Sequence, residues 1–284
     1  MKFNVITGVL SAAILVSSKQ PFPDWLKDFT GLDEWPGLDP PYIPLDFINF
    51  DKVPDVPLHD QGDCLGVRDH CSFDCYHCVT SDDVYTCPVL SQTFDDGPTP
   101  HTIPLLDALR SPTTFFTLGI NVIQWPEIYQ RAVREGHLMA SHTWSHGFLP
   151  SLTNEQIVAQ IEWSVWAMNA TGNHLPKWFR PPFGGMDNRV RAILHQFGMQ
   201  SVLWDFDSFD WKLLSNEAKA HEQAVYRDLR RFKNERKNQG LILEHDHSKQ
   251  TVDVAIGISR SILDSRQFKV NQCVANPVSY IREY

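Results

Sequence analysis

Beyond its first residues the chain has no long hydrophobic run, no excess of positive charge, and no internal repeat or low-complexity tract. Each absence excludes something. A bilayer crossing by a helix takes about 20 consecutive apolar residues, so no membrane span is expected, and the closing "SYIREY" does not have the character of a tail exchanged for a lipid anchor. A formal charge of −9 argues against nucleic acid as a partner, because phosphate recognition depends on clustered lysine and arginine. The lack of biased tracts, with 42% hydrophobic and 21% charged residues over 284 positions, predicts a folded chain without domain-scale disorder.

Residues 1–18, "MKFNVITGVLSAAILVSS", carry Lys2, a short apolar run, then small residues, with Val16 and Ser18 suitably placed before a cleavage point. That pattern predicts a secretory signal peptide, and with it a secreted, soluble protein. The cysteines agree with an oxidising compartment. Cys64, Cys71, Cys75, Cys78 and Cys87 cluster, while Cys273 stands apart near the C terminus. If all six pair, one bridge must run from the cluster to Cys273; the rest of the connectivity stays open. A zinc knot in "CSFDCYHC" (71–78), with His77 contributing, is the alternative, but its spacing fits common zinc patterns poorly. Asn169-Ala170-Thr171 is a glycosylation sequon.

Residues 19–87 read as an irregular extension bearing the cysteine cluster. Its first part, 19–60, is rich in Pro, Asp and aromatics, shows neither helical nor strand period, and is expected to pack on the domain through its aromatic side chains. From 88 to 284 the pattern changes to short β-branched or aromatic runs alternating with amphipathic ones. Strands are expected at 89–95, 114–118, 138–141, 177–180, 201–206, 241–245 and 268–272. Helices are expected near 101–110, 124–135, 154–170, 187–197, 216–236 and 250–264. Seven strands with helices between them predict an α/β fold around a parallel sheet, open or closed as a barrel.

In such folds reactive groups gather at the carboxyl ends of strands. Here those ends carry Asp95 and Asp96, His142, Arg180, Asp207 and Asp210, and His245. "SHTWSH" (141–146) spaces His142 and His146 by four, which on a helical turn puts both imidazoles on one face. A carboxylate from another strand end, Asp96, completes a three-ligand metal site. Asp95 is then free beside it as a general base, and the cation offsets the repulsion between adjacent anions. A two-histidine, one-carboxylate set also suits iron in an oxygenase; the extra Asp95 and an acid candidate on a distant strand, His245, suit hydrolysis better. In "RPPFGG" (180–185) neither proline has an N–H, so the first free amide after Arg180 belongs to Phe183, where it is placed to meet a developing oxyanion.

The set T-F-D-D-G-P (93–98), H-T-W-S-H (142–146), R-P-P-F (180–183), D-S-F-D-W (207–211) and L-E-H (243–245) resembles the five ordered motifs of the polysaccharide deacetylase family, the NodB-homology carbohydrate esterases. The flanks "FPDWL", "CSFDCYHC" and "AMNATGNHLPKWFRPPFGG" resemble the budding-yeast chitin deacetylases that act in spore-wall formation. The resemblance implies a distorted (β/α) barrel that binds zinc, or another divalent metal such as cobalt, through Asp96, His142 and His146. It implies Asp95 as base held by Arg180, His245 as acid tuned by Asp210, the Phe183 amide at the oxyanion, and Trp211 and Leu243 walling the acetyl pocket. The family more often has tyrosine where this chain has Phe183; a backbone role is unaffected.

Of nine tryptophans, Trp144 and Trp211 are taken as substrate contacts because each sits inside a motif, while Trp163 and Trp166 are expected in the core. His101, His137, His174, His195, His221 and His247 have no partner spacing and are read as solvated or structural. The expected function is a monomeric, secreted, metal-dependent deacetylase that converts chitin to chitosan in a cell or ascospore wall. A deacetylase of another acetylated glycan and a non-catalytic glycan-binding wall protein are the competing readings.

Overall fold

The computed structural model describes residues 18–214, 218–264 and 266–284; the expected signal peptide lies outside them apart from its last residue. Among the described residues nine strands follow in chain order: β1 (Ser91–Asp95), β2 (Thr114–Thr117), β3 (Leu138–Ser141), β4 (His174–Pro176), β5 (Trp178–Phe179), β6 (Gln200–Ser201), β7 (Phe206–Asp207), β8 (Leu241–His245) and β9 (Tyr280–Glu283). Seven form one sheet in the order β6-β5-β3-β2-β1-β8-β7, and every pairing in it is parallel. β4 and β9 pair antiparallel outside it.

Chain length forces that sheet to curl. Seven strands laid flat at ~4.8 Å spacing would hold their edges about 29 Å apart. The edge strands β6 and β7 are joined by residues 202–205 alone, which at ~3.5 Å per residue span at most about 18 Å. The sheet therefore bends toward closure as an incomplete barrel. All positions of β1, β2 and β3 are buried, as strands covered on both sides should be. Outside them pack the helices Thr102–Ala108, Gly119–Gln124, Pro126–Arg134, Asn154–Gly172, Asn188–Gln196, Ala218–Glu235 and Lys249–Ser261. The longest of these starts at a Thr153/Gln156 capping box and stops where Asn173 turns left-handed.

Two expected strands are corrected. The run 201–206 is not one strand: it leaves the sheet at β6, crosses the barrel opening and rejoins at the other edge as β7. Its carbonyls at Val202 and Leu203 face the Arg180 guanidinium instead of a ladder. The run 268–272 contains a short helix, Val270–Cys273, fixed by Gln272 accepting from the Lys269 N–H at 2.9 Å and by Cys273 being bridged to Cys87.

The disulfides are Cys64–Cys75, Cys71–Cys78 and Cys87–Cys273. One bridge does join the cluster to Cys273, and with all six sulfurs paired there is no zinc knot at 71–78. The stretch before Cys64 packs through its aromatics as expected. Trp35 lies 6.1 Å from Trp144 and 6.3 Å from Trp163, and the Trp163 and Trp144 indole N–H groups donate to the carbonyls of Pro41 and Gly37. Among the described residues no helix is long and apolar enough to cross a membrane.

Candidate active site

The register of the sheet assembles the centre. β1 and β8 pair so that Asp95 is opposite His245, and β3 and β5 pair at Ser141 and Phe179, so His142 and Arg180 leave neighbouring strands side by side. A cavity of about 350 Å³ opens at these strand ends, lined by Asp95, Asp96, His142, His146 and His245, with Phe183, Trp204, Trp211 and Leu243 around them.

Asp95 and Asp96, adjacent in sequence, face different partners. Asp95 ends a strand and accepts from the Arg180 guanidinium at 2.8 Å. Asp96 takes a left-handed backbone, φ 79, which swings its carboxylate to the histidines. Its Oδ1 lies 3.2 Å from His146 Nε2 and 3.5 Å from His142 Nε2. That oxygen is buried with no hydrogen-bond partner, a state that a bound cation would relieve. The tautomer agrees: His142 Nδ1 sits 2.7 Å from the Arg180 carbonyl, so Nδ1 carries the proton and Nε2 keeps its lone pair toward Asp96. The set Asp96, His142 and His146 fits a divalent metal. A second cluster, His59, Asp74 and Cys75, does not, because the Cys75 sulfur is bridged to Cys64.

The two histidines keep their spacing of four, yet they do not share a helical turn as expected. Residues 142–148 are a loop in which Thr143 (φ 74) and His146 (φ 66) are left-handed. The His146 amide donates to Thr143 Oγ1 at 3.0 Å, closing the loop so that the two rings stand 5.1 Å apart.

Burial and charge divide the titrating groups. Burial pushes His142 down to about 4, which leaves it a neutral ligand. Burial also works against charge on Asp96, but the His146 and His247 rings outweigh it and hold the carboxyl well below the usual range. At His245 burial opposes protonation, yet the Asp210 carboxylate, 2.6 Å from Nδ1, and the more distant Asp96 and Asp95 lift it to about 10. Asp210 also accepts the His245 backbone N–H at 2.8 Å, so ring and backbone are fixed together. Arg180 is fully buried against the Phe116 ring at 4.0 Å, and its second bond, to Thr93 Oγ1 at 2.7 Å, aims it at Asp95.

Phe183 turns left-handed (φ 57) after the two prolines and sets its ring edge-on to His146 at 4.5 Å. Trp211, 45% exposed, and Leu243 stand in the cavity wall. Trp144 does not: it is fully buried among Trp35 and Trp163, so its expected substrate contact gives way to a core position. His247, read as an ordinary histidine, lines the cavity with Nδ1 3.3 Å from Asp96 Oδ2. Its two-residue spacing from His245 was the available signal.

The description "Polysaccharide deacetylase" belongs to a family model that matches residues 83–202. Chitin deacetylase 2 of Saccharomyces cerevisiae is 59% identical over 94% of this chain and 85% of its own length. Chitin deacetylase 1 of the same yeast is 54% identical over 99% of each. Among solved structures, the chitin deacetylase of Colletotrichum lindemuthianum aligns with a TM-score of 0.59 and 25% identity over 70% of this chain and 94% of its own.

Proposed function

The chain belongs to the polysaccharide deacetylase family, and within it we propose a chitin deacetylase that hydrolyses the N-acetyl groups of N-acetylglucosamine units to give chitosan and acetate. The observation that carries this reading is the division of labour at residues 95 and 96: one carboxylate is tied to a buried arginine, the other is turned onto the Nε2 atoms of two imidazoles. The yeast relatives bear the name of that activity over nearly the whole chain.

Asp96, His142 and His146 hold the metal, proposed to be zinc, which when bound supplies Lewis acidity to a carbonyl oxygen and lowers the pKa of water. Asp95, fixed by Arg180, takes a proton from the attacking water as its oxygen adds to the acetamide carbon. The Phe183 N–H meets the carbonyl oxygen as charge develops on it. His245, kept protonated by Asp210, gives its Nε2 proton to the amide nitrogen as the C–N bond breaks. The products are acetate and a free amine on the sugar. Trp211 and Leu243 bound the space around the acetyl group. The catalytic unit is proposed to span 88–284 with the extension 19–87 packed on it. All of these groups come from one chain, which supports action as a monomer. Three disulfides support secretion, and the likeness to the yeast enzymes supports a place in a cell or spore wall.

Acetate release from chitin tetramer by the purified protein tests the reading. The expected result is release that chelation abolishes and zinc restores. No release from zinc-loaded protein, with release from another acetylated glycan, would move the substrate; binding to chitin without any release would favour a wall-binding role.

A further inference from the structure

Gln61 stands in the wall of the same cavity as Asp95, Asp96 and His245, although it precedes the residues matched by the family model. The turn that carries it is fixed on both sides. Before it, His59 is buried, gives its backbone N–H to the Pro150 carbonyl at 3.3 Å, and packs edge-on against Phe148 at 5.7 Å. Phe148 packs on Phe183 at 6.3 Å, next to His146. After it, Gly62 takes φ 86, which glycine adopts without a Cβ penalty, and Cys64 is bridged to Cys75. Asp74 then returns to His59, with Oδ2 3.3 Å from Nε2. The second bridge, Cys71–Cys78, encloses Phe73, which packs at 5.1 Å on Trp204, another wall of the cavity.

Segment 59–78 therefore meets the cleft twice, at Gln61 directly and at Phe73 through Trp204. Its two bridges close short loops, with separations of 11 and 7 residues, and so restrain the unfolded chain less than Cys87–Cys273 with its separation of 186. Their position beside the cleft gives them a local task, holding one wall in place.

We propose that the disulfide-stapled segment 59–78 is a fixed wall of the glycan cleft, and that Gln61 is a specificity residue whose side-chain amide hydrogen-bonds the sugar unit next to the one being deacetylated. A primary amide offers two donors and an acceptor without charge. That matches hydroxyl and acetamide groups, and it accepts a neighbouring unit whether or not it still bears acetate. The inference rests on the glycan-deacetylase reading.

Steady-state kinetics on chitin dimer, trimer, tetramer and pentamer, with the zinc-loaded full chain and its Gln61→Ala and Gln61→Asn variants, test it. In Gln61→Ala, KM for tetramer and pentamer is expected to rise about five-fold, by more than any fall in kcat, and to rise least for the dimer; Gln61→Asn falls between. A change equal at all lengths, or none, overturns the proposal. Tetramer affinity followed by tryptophan fluorescence is independent of turnover: equal affinities of wild type and Gln61→Ala also overturn it. Absence of acetate release by the wild type strikes the deacetylase reading instead, and the binding measurement still decides the wall.

Discussion

At the barrel rim, Asp96, Thr143, His146 and Phe183 hold left-handed backbone with φ between 57 and 79, each at a cost of roughly 1–3 kcal/mol. In the stapled segment, Cys71 (φ 49) and His77 (φ 51) do the same. The two regions keep such conformations by different means. The rim uses a buried ion pair, a backbone carbonyl on His142 and a strand register. The stapled segment uses two disulfides and the aromatic contacts of His59 and Phe73. The lesson is that the rim is sensitive to charge while the segment beside it is sensitive to redox state, so the two should fail separately.

Removing one partner of the rim ion pair is the largest stability perturbation. Arg180→Met strands Asp95 in a buried place and is expected to cost about 3–5 kcal/mol, read as a lower melting temperature. An unchanged melting temperature would mean that the pair does not hold the rim.

The disulfides sharpen the contrast. Replacing Cys87 and Cys273 together by alanine should lower stability by about 2–5 kcal/mol while KM for chitin oligosaccharides stays put. Replacing Cys64 and Cys75 together should lower stability less and raise KM more. The reverse order would erase the distinction between a fold-closing bridge and a cleft-shaping one.

The extension is also tied to the barrel by a group whose charge matters. Glu162, in the helix Asn154–Gly172, accepts the Ile43 N–H at 2.8 Å, and burial lifts its pKa to about 8. The folded state holds this proton more tightly than the unfolded one. Its stabilising effect is therefore fully present below pH about 4.5 and is lost as pH rises toward 8, by at most about 1.4 kcal/mol per pH unit. Glu162→Gln keeps the acceptor and removes this dependence, so its melting temperature should exceed that of the wild type at pH 8 and the gap should close toward pH 5.

The smallest effect is expected at His247. His247→Ala removes the ring beside Asp96 Oδ2, and zinc affinity, read by competition with a chelator, should fall about ten-fold. An unchanged affinity would leave His247 a bystander.

Much of the rim is legible in the sequence because its groups terminate strands with strong local signals. β1, β2, β3 and β8 lie where apolar and β-branched runs predict them, and at β1, β3 and β8 the last residue or its immediate follower is a titrating one. Less legible is whatever depends on a distant partner. The run 201–206 has strand composition, but Arg180 claims its carbonyls. Trp144 and Trp211 both sit in motifs, yet Trp144 fills the space over Gly119, where an added Cβ would lie 2.6 Å from its ring, while Trp211 stays at the mouth. The stapled segment has no period at all, and its contact with the cleft arises from His59 and Phe73 packing on residues far along the chain.

On the proposed reading Asp95 is the base and Asp96 a ligand, neighbours in sequence that the left-handed backbone of Asp96 turns to different partners. Zinc content and acetate release, measured together for Asp95→Asn and Asp96→Asn, test it most directly. Asp95→Asn should retain zinc and lose activity by on the order of 10³-fold, whereas Asp96→Asn should lose both. Zinc lost from Asp95→Asn to the same extent as from Asp96→Asn, or full acetate release by Asp95→Asn, would contradict the account.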